Sequence, residues 1–161
     1  MSGQGLPLPR LQSDGLSLDL ARLGVDAVLE CARDLQLQVS IAVVDGGGHL
    51  LAFARTEGTP WHSIQLATEK ARTSASFGLP SSTLGDMIDN ACERIRMNLL
   101  LRPEIVAMGG AFPIRVGKRL IGALGVSGAS EEEDVICALA GCEAIARHTE
   151  TAFESEGVAH E

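Results

Sequence analysis

The sequence predicts an α+β domain in which helices pack on a mostly antiparallel five-stranded sheet. Helical apolar spacing and short apolar runs with strand-like composition alternate in the order helix, two strands, helices, three strands, helix. Neighbouring strands are separated by short glycine-containing turns, which is the pattern of hairpins rather than of parallel crossovers. A chain of 161 residues with 45% hydrophobic residues suits one compact domain with its own core.

The first element, from Ser17 to about Gln36, is predicted to be an amphipathic helix. Apolar residues recur at helical spacing between Leu20 and Leu35, and charged residues fill the opposite side. Ser17 is placed as the N-cap, and Asp19 lies in the first turn, where the helix dipole favours an acid.

The next two elements form a predicted hairpin. Val39–Val44 and His49–Ala54 are short apolar runs that flank the turn Asp45-Gly46-Gly47-Gly48. The glycines of this turn supply positive φ angles. The alternative is a phosphate-binding loop, but no Gly-Lys-Ser/Thr follows and the next element is a strand, so the hairpin is favoured.

The second helix is predicted over Pro60–Phe77 and ends at Gly78 and Pro80. At about 100° per residue, one narrow arc of this helix carries an imidazole, an ammonium, a hydroxyl and an aromatic ring. The residues of this arc are His62, Leu66, Lys70, Thr73 and Phe77.

Two interpretations of this arc stay open. In the first it is a ligand-binding stripe, in which Lys70 holds a carboxylate, Thr73 contacts an oxygen, and His62 binds a metal or transfers a proton. In the second it is a partly buried face at a contact between subunits, with the polar ends reaching solvent.

The second half of the chain repeats the alternation of elements. Residues 81–101 are predicted to be mostly helical, followed by strands at Ile105–Met108, Phe112–Val116 and Arg119–Val126. Ser130 and Glu133 form a capping box that opens a last helix. The predicted organisation is a flexible arm at 1–15, one domain at 16–150 and a frayed tail at 151–161.

Composition excludes several classes of protein. A net charge of −8, a pI near 5.0 and only 3% aromatic residues argue against a nucleic-acid partner. No apolar stretch is long enough to span a membrane, and Met1–Arg10 does not resemble a signal peptide. The four cysteines lack metal-ligand spacing and are interpreted as small buried residues of a protein in a reducing cytoplasm.

Four further sites are weaker candidates. Arg55 follows the second strand and could pair with an anion, and Gly109 and Gly110 could offer backbone N–H groups to one. His49, at the hairpin, is predicted to face solvent. The acids at residues 131–134 resemble a site for a hard cation, but a helix N-terminus attracts acids for its own reasons, and that explanation is favoured.

Two blocks of the sequence resemble the GlcG/HbpS-like family, which is also described as haem-degrading domains. The first is Val39–Gly78, with its Asp-Gly-Gly-Gly turn and its Lys70-Ala71 and Thr73 spacing, and the second is Met108–Ile145. Ser63, Arg55 and Phe77 also fit the family pattern. The sequence departs from that pattern at Trp61-His62 and at Thr56-Glu57.

The resemblance implies a profilin-like α+β fold and a homo-oligomer of between two and eight subunits. It places a cleft or interface near the helix that carries Lys70 and Thr73. It also implies haem as the cofactor, because some members bind haem and are linked to its degradation, whereas many members have no settled role.

Two functions of different classes follow. In the first, the chain binds haem or a related tetrapyrrole at the Lys70, Thr73 and Phe77 stripe, with His62 as axial ligand. In the second it is a cofactor-free isomerase, tautomerase or lyase acting on a small carboxylate. There Lys70 or His62 transfers the proton, and Arg55 or the Gly109 and Gly110 amides hold the anion.

Overall fold

The computed structural model describes the backbone of residues 15–157 and the side chains of residues 15–149. The described chain is an α+β fold, as predicted. Its elements are α1 (Leu18–Asp34), β1 (Ser40–Asp45), β2 (Leu50–Arg55), α2 (His62–Phe77), α3 (Ser81–Asp89), α4 (Glu93–Leu100), β3 (Ala111–Val116), β4 (Arg119–Ser127) and α5 (Glu131–Gly157).

The strands of the described residues form one antiparallel sheet in the order β2-β1-β4-β3. The pair β1 and β2 and the pair β3 and β4 are hairpins, and β1 also pairs with β4 through the centre of the sheet. The sheet therefore has four strands, and the prediction of five is wrong.

The strand predicted at Ile105–Met108 is absent because its backbone bonds elsewhere. The Val106 N–H donates to the hydroxyl of Thr73 on α2 at 3.0 Å, not to a neighbouring strand. The carbonyl of Ala107 lies so close to Gly85 that a Cβ on this glycine would stand 2.6 Å from it. The segment thus packs along α2 and α3, and hydrophobic composition alone could not distinguish this from a buried strand.

The sheet has helices on both faces. Ile41 and Val43 point to one face and pack in the core that includes residues of α1 and α5, whereas Ala42 and Val44 point to the other face, under α2. Because both faces are covered, every residue of β1 except Asp45 is buried.

Small residues bring α2 close to the sheet. Ala67 and Ala71 of α2 are fully buried, and they lie over Gly125 of β4. A Cβ on Gly125 would collide with the backbone of both alanines. This close approach fixes where the side chains of α2 stand relative to the end of the sheet.

The predicted helix ends are confirmed. The Ser17 hydroxyl accepts the Leu20 N–H at 3.2 Å. Ser130 and Glu133 form the reciprocal bonds of a capping box, at 3.0 and 3.3 Å. The helix α2 ends at Gly78, which adopts φ +65° and donates its N–H to the Ser74 carbonyl.

The limits of the predicted domain stay a prediction. Most of the proposed arm lies outside the described residues, as does the end of the proposed tail. The helix α5 continues through residues 151–157. None of the described helices is long and apolar enough to cross a membrane.

Candidate functional site

A cleft of about 670 Å³ opens at one end of the sheet. Three segments form its walls: the β1–β2 turn at Gly46–His49, the second half of α2 and the loop at Glu104–Ile105. The volume lies within the roughly 300–1,000 Å³ typical of small-molecule sites. The α2 residues that line it are Arg72, Thr73, Ser76 and Phe77.

The β1–β2 turn is held by the carboxylate of Asp45. Its Oδ1 accepts the N–H of Gly47 at 2.8 Å and the N–H of His49 at 3.0 Å. Gly48 has φ +82°, a conformation that favours glycine. Partial burial acts to raise the pKa of Asp45, but the hydrogen bonds from His49 and Gly47 outweigh it and lower the pKa below its ordinary value.

His49 is oriented by the same carboxylate. Its Nδ1 lies 3.2 Å from both oxygens of Asp45, while 82% of the side chain is exposed. A carboxylate beside Nδ1 favours the tautomer with its proton there, which leaves the Nε2 lone pair free to bind a metal. The sequence prediction that His49 faces solvent is consistent with this exposure, yet the residue also lines the cleft.

Arg72 joins α2 to the turn and brings a positive charge to the cleft. Its Nε donates to the Gly48 carbonyl at 3.0 Å. Within residues 15–149, no acceptor pairs with the two terminal nitrogens of this guanidinium. They are therefore available to a carboxylate of a ligand.

Thr73 and Phe77, both predicted as ligand-binding residues, lie at the cleft. The Thr73 hydroxyl accepts the Val106 N–H at 3.0 Å and donates to the Glu104 carbonyl at 3.5 Å, so it anchors the loop wall. Phe77 is 39% exposed and, with Ile105, supplies apolar surface.

Lys70 lies on the predicted arc but is buried beneath the cleft wall, not in it. Its ammonium donates to Asp134 of α5 at 2.9 Å and to the Val126 carbonyl at 3.1 Å. The two side chains are 3% and 4% exposed. Burial raises the pKa of Asp134, against the opposing effect of Lys70.

The pair Gly109 and Gly110 packs against the same ion pair. The Gly109 N–H already donates to the carboxylate of Glu131, and the Gly110 carbonyl accepts the Val126 N–H. Gly110 has φ +112°, and a Cβ there would lie 3.1 Å from the Lys70 ammonium. The Gly109 N–H is therefore committed to α5, and Gly110 packs closely between β4 and the Lys70–Asp134 pair.

The remaining predicted residues lie near the N-terminal end of α2. His62 is exposed and contacts Trp61 edge to face at 6.3 Å between ring centroids. Ser63 is buried and bonds to Ser40 at 2.8 Å. Arg55 donates to the Thr59 carbonyl at 3.0 Å. None of the three lines the cleft.

Sequence reasoning named Asp45 only as part of a turn and Asp134 only among the acids at residues 131–134, and it did not name Arg72. For Asp134 a signal existed, because it falls at helical spacing with the buried residues Cys137 and Ala138. A carboxylate at a core position of a helix requires a buried partner. For Arg72 no signal existed, because its position depends on how α2 meets the turn.

Comparison with known proteins gives a consistent result. A family model described as "Haem degrading protein HbpS-like" matches residues 16–143. The chain is 34% identical over 112 residues to Protein GlcG of Escherichia coli K12, covering 70% of this chain and 81% of that protein.

Solved structures agree with this match. A crystal structure of the PduOC:haem complex has a TM-score of 0.74 and 28% identity, covering 81% of this chain and 94% of that one. A double mutant of HbpS from Streptomyces reticuli also has a TM-score of 0.74 and 28% identity, covering 86% and 96% of the two chains.

Proposed function

The chain belongs to the HbpS-like family, and on that premise we propose that it binds haem or a related tetrapyrrole in the cleft beside His49. The observation that carries the proposal is the pairing of His49 with Asp45, which leaves an imidazole nitrogen free at the mouth of a cleft of suitable size. One structural relative is a haem complex, which supports the choice of ligand.

The residues of the cleft fit haem in three respects. His49 offers an imidazole whose orientation is set by a carboxylate, as in many metal-binding histidines. Arg72 offers terminal nitrogens that would pair with a propionate. Phe77 and Ile105 offer apolar surface for the macrocycle.

Within this proposal each residue has a distinct role. His49 would hold the iron, and Asp45 would maintain the tautomer of His49. Arg72 would orient the ligand by its carboxylates. Bound haem supplies an iron centre whose chemistry depends on its axial ligand and on the polarity around it.

The proposal gives different roles to the residues predicted from the sequence. Thr73 and Phe77 stay as ligand-binding residues of the proposed site. Lys70 has a structural role in this proposal, because its ammonium donates hydrogen bonds to Asp134 and to the Val126 carbonyl. His62 is the matched comparison for His49, since both are exposed histidines and only His49 lines the cleft.

The second hypothesis, a cofactor-free enzyme acting on a small carboxylate, receives less support. One of its two proposed bases, Lys70, is buried in an ion pair, and the other, His62, lies away from the cleft. Two of its proposed anion holders, Arg55 and Gly109, bond to protein groups. The profilin-like classification, a homo-oligomer of two to eight subunits and a cytoplasmic location are also part of the proposal.

Titration of the apo-protein with haemin tests the proposed function. We expect a saturable shift of the Soret band with one haem per chain. Haemin dimethyl ester, which lacks free carboxylates, is expected to bind more weakly to the wild type. Arg72→Ala is expected to remove this difference. A Soret band that changes only in proportion to added haemin would contradict the proposal.

A further inference from the structure

The helix layer opposite α2 contains a pair of cysteines that the cleft does not use. Cys31 lies near the end of α1, and Cys137 lies in the second turn of α5. Cys137 is a buried member of the core, and Cys31 packs against this core beside the Cys137 thiol. Both are free in the structure.

Close packing of α1 and α5 brings these cysteines together. A Cβ on Gly141 of α5 would lie 2.6 Å from Val28 and 2.9 Å from the Gly24 carbonyl, so the two helix backbones nearly touch there. Cys31 follows Val28 on α1, and Cys137 precedes Gly141 on α5. The helices therefore run antiparallel, and the cysteine pair lies about one turn from this contact.

Solvent reaches one member of the pair. A groove of about 420 Å³ runs between α1 and α5, and Cys31 lines it together with Ile136 and Ala140. Ile136 and Ala140 flank Cys137 on α5. Cys137 itself is fully buried beneath this groove. A small oxidant can thus reach Cys31 while Cys137 is held next to it.

We propose that Cys31 and Cys137 are a modification site that forms an intrachain disulfide between α1 and α5 when the protein meets a peroxide. The Cys31 thiolate attacks one oxygen of hydrogen peroxide, the O–O bond breaks, and Cys31 becomes a sulfenic acid while the leaving hydroxide takes up the proton that the thiol lost and departs as water. The Cys137 sulfur then attacks the Cys31 sulfur and loses its proton, and the sulfenic oxygen leaves as a second water.

The surroundings set the order of the two steps. Burial, together with the neighbouring Cys31, raises the pKa of the Cys137 thiol, so this shielded thiol is the less reactive of the two and Cys31 meets the oxidant first. Cys142 is placed differently, because its sulfur lies 4.0 Å from the Phe112 carbonyl. Cys92 is exposed at the start of α4, which is not one of the two helices that form this layer.

Thiol counting by mass spectrometry tests the proposal on the full chain. The reduced protein is treated with hydrogen peroxide, the remaining thiols are blocked with N-ethylmaleimide, and the intact mass and the peptides are measured. We expect two blocked thiols, at Cys92 and Cys142, and a linked peptide pair containing Cys31 and Cys137. Dithiothreitol is expected to restore four blocked thiols.

Two variants and one physical measurement complete the test. Cys31→Ser, at a half-buried position, is expected to abolish the linked peptide, whereas Cys92→Ser is expected to keep it. The oxidised wild type is expected to melt roughly 5–10 °C above the reduced form. Four blocked thiols after peroxide, a sulfinic acid at Cys31, or a link through Cys92 or Cys142 would overturn the proposal.

Discussion

Two carboxylates, Asp45 and Asp134, act on neighbouring groups in opposite settings. Asp45 is partly exposed and organises a turn, whereas Asp134 is buried and is paired with one ammonium. Asp45 orients His49, and Asp134 forms an ion pair with Lys70. Lys70 was identified on its helix face, but the role assigned to it depends on Asp134, which lies 64 residues further along.

The Lys70–Asp134 pair is expected to be costly to break on one side. Lys70→Met would leave the Asp134 carboxylate buried without its cation, and we expect the free energy of unfolding to fall by about 3–5 kcal/mol. Lys70→Met with Asp134→Leu is expected to recover most of this loss, because an apolar pair fills the same space. Urea unfolding measures both. A stability of Lys70→Met equal to wild type would exclude the stabilising role of the pair.

The pKa of Asp45 predicts the direction of one pH effect. Because its pKa is lower in the folded protein than in the unfolded chain, the ionised carboxylate stabilises the fold fully above the unfolded value of about 3.8. This contribution is lost as pH falls through the lower, folded value. Asp45→Asn is therefore expected to flatten the acid side of a plot of unfolding free energy against pH between 2 and 6. An unchanged acid limb would contradict this.

Asp45 is also expected to influence ligand binding through His49. Asp45→Ala removes the acceptor at Nδ1, so the orientation and tautomer of the imidazole are no longer fixed. Loss of such a partner typically weakens metal binding roughly 10- to 100-fold. Haemin titration followed at the Soret band measures this. Asp26→Ala, on α1, serves as a control and is expected to leave the affinity unchanged.

At the scale of elements, the helices and hairpins could be predicted from local patterns. The ends of three helices could be predicted because the residue type itself makes the cap. Side-chain oxygens cap the helix starts at Ser17 and at the Ser130–Glu133 box, and glycine adopts the positive φ that ends α2 at Gly78. The segment Ile105–Met108 is apolar like a strand, and only the hydroxyl of Thr73 and the proximity of α3 decide that it is a loop. Whether the backbone of this segment bonds to a strand or to a side chain of α2 depends on tertiary contacts, so the local sequence does not determine it.

The position of α2 depends on Gly125, and this can be tested. Gly125→Ala would place a methyl group against the backbone of Ala67 and Ala71, which cannot move independently of the helix. We expect a loss of about 1–3 kcal/mol from overpacking. Gly46→Ala is the control, because its Cβ would meet atoms no closer than 3.6 Å. Equal stability of the two variants, measured by thermal unfolding, would contradict the close-packing argument.

At the scale of the whole molecule, the cleft combines parts that are distant in the sequence. The turn after β1, the second half of α2 and the loop before β3 meet only because the sheet order places β1 beside β4 and α2 across both. Helical spacing therefore placed Thr73 and Phe77 correctly on one face of α2. It could not show that His49, and not His62 at the other end of the helix, lines the cleft with them. Periodicity gives the face of a helix and not what stands opposite it.

The family match and the geometry of the cleft both support the proposal that His49 holds the iron of a bound tetrapyrrole. Haemin titrations of His49→Ala and His62→Ala test it most directly, since each variant removes one exposed histidine. We expect His62→Ala to keep the saturable Soret shift of the wild type and His49→Ala to lose it. A saturable shift that survives His49→Ala and disappears in His62→Ala would show that His49 does not hold the iron.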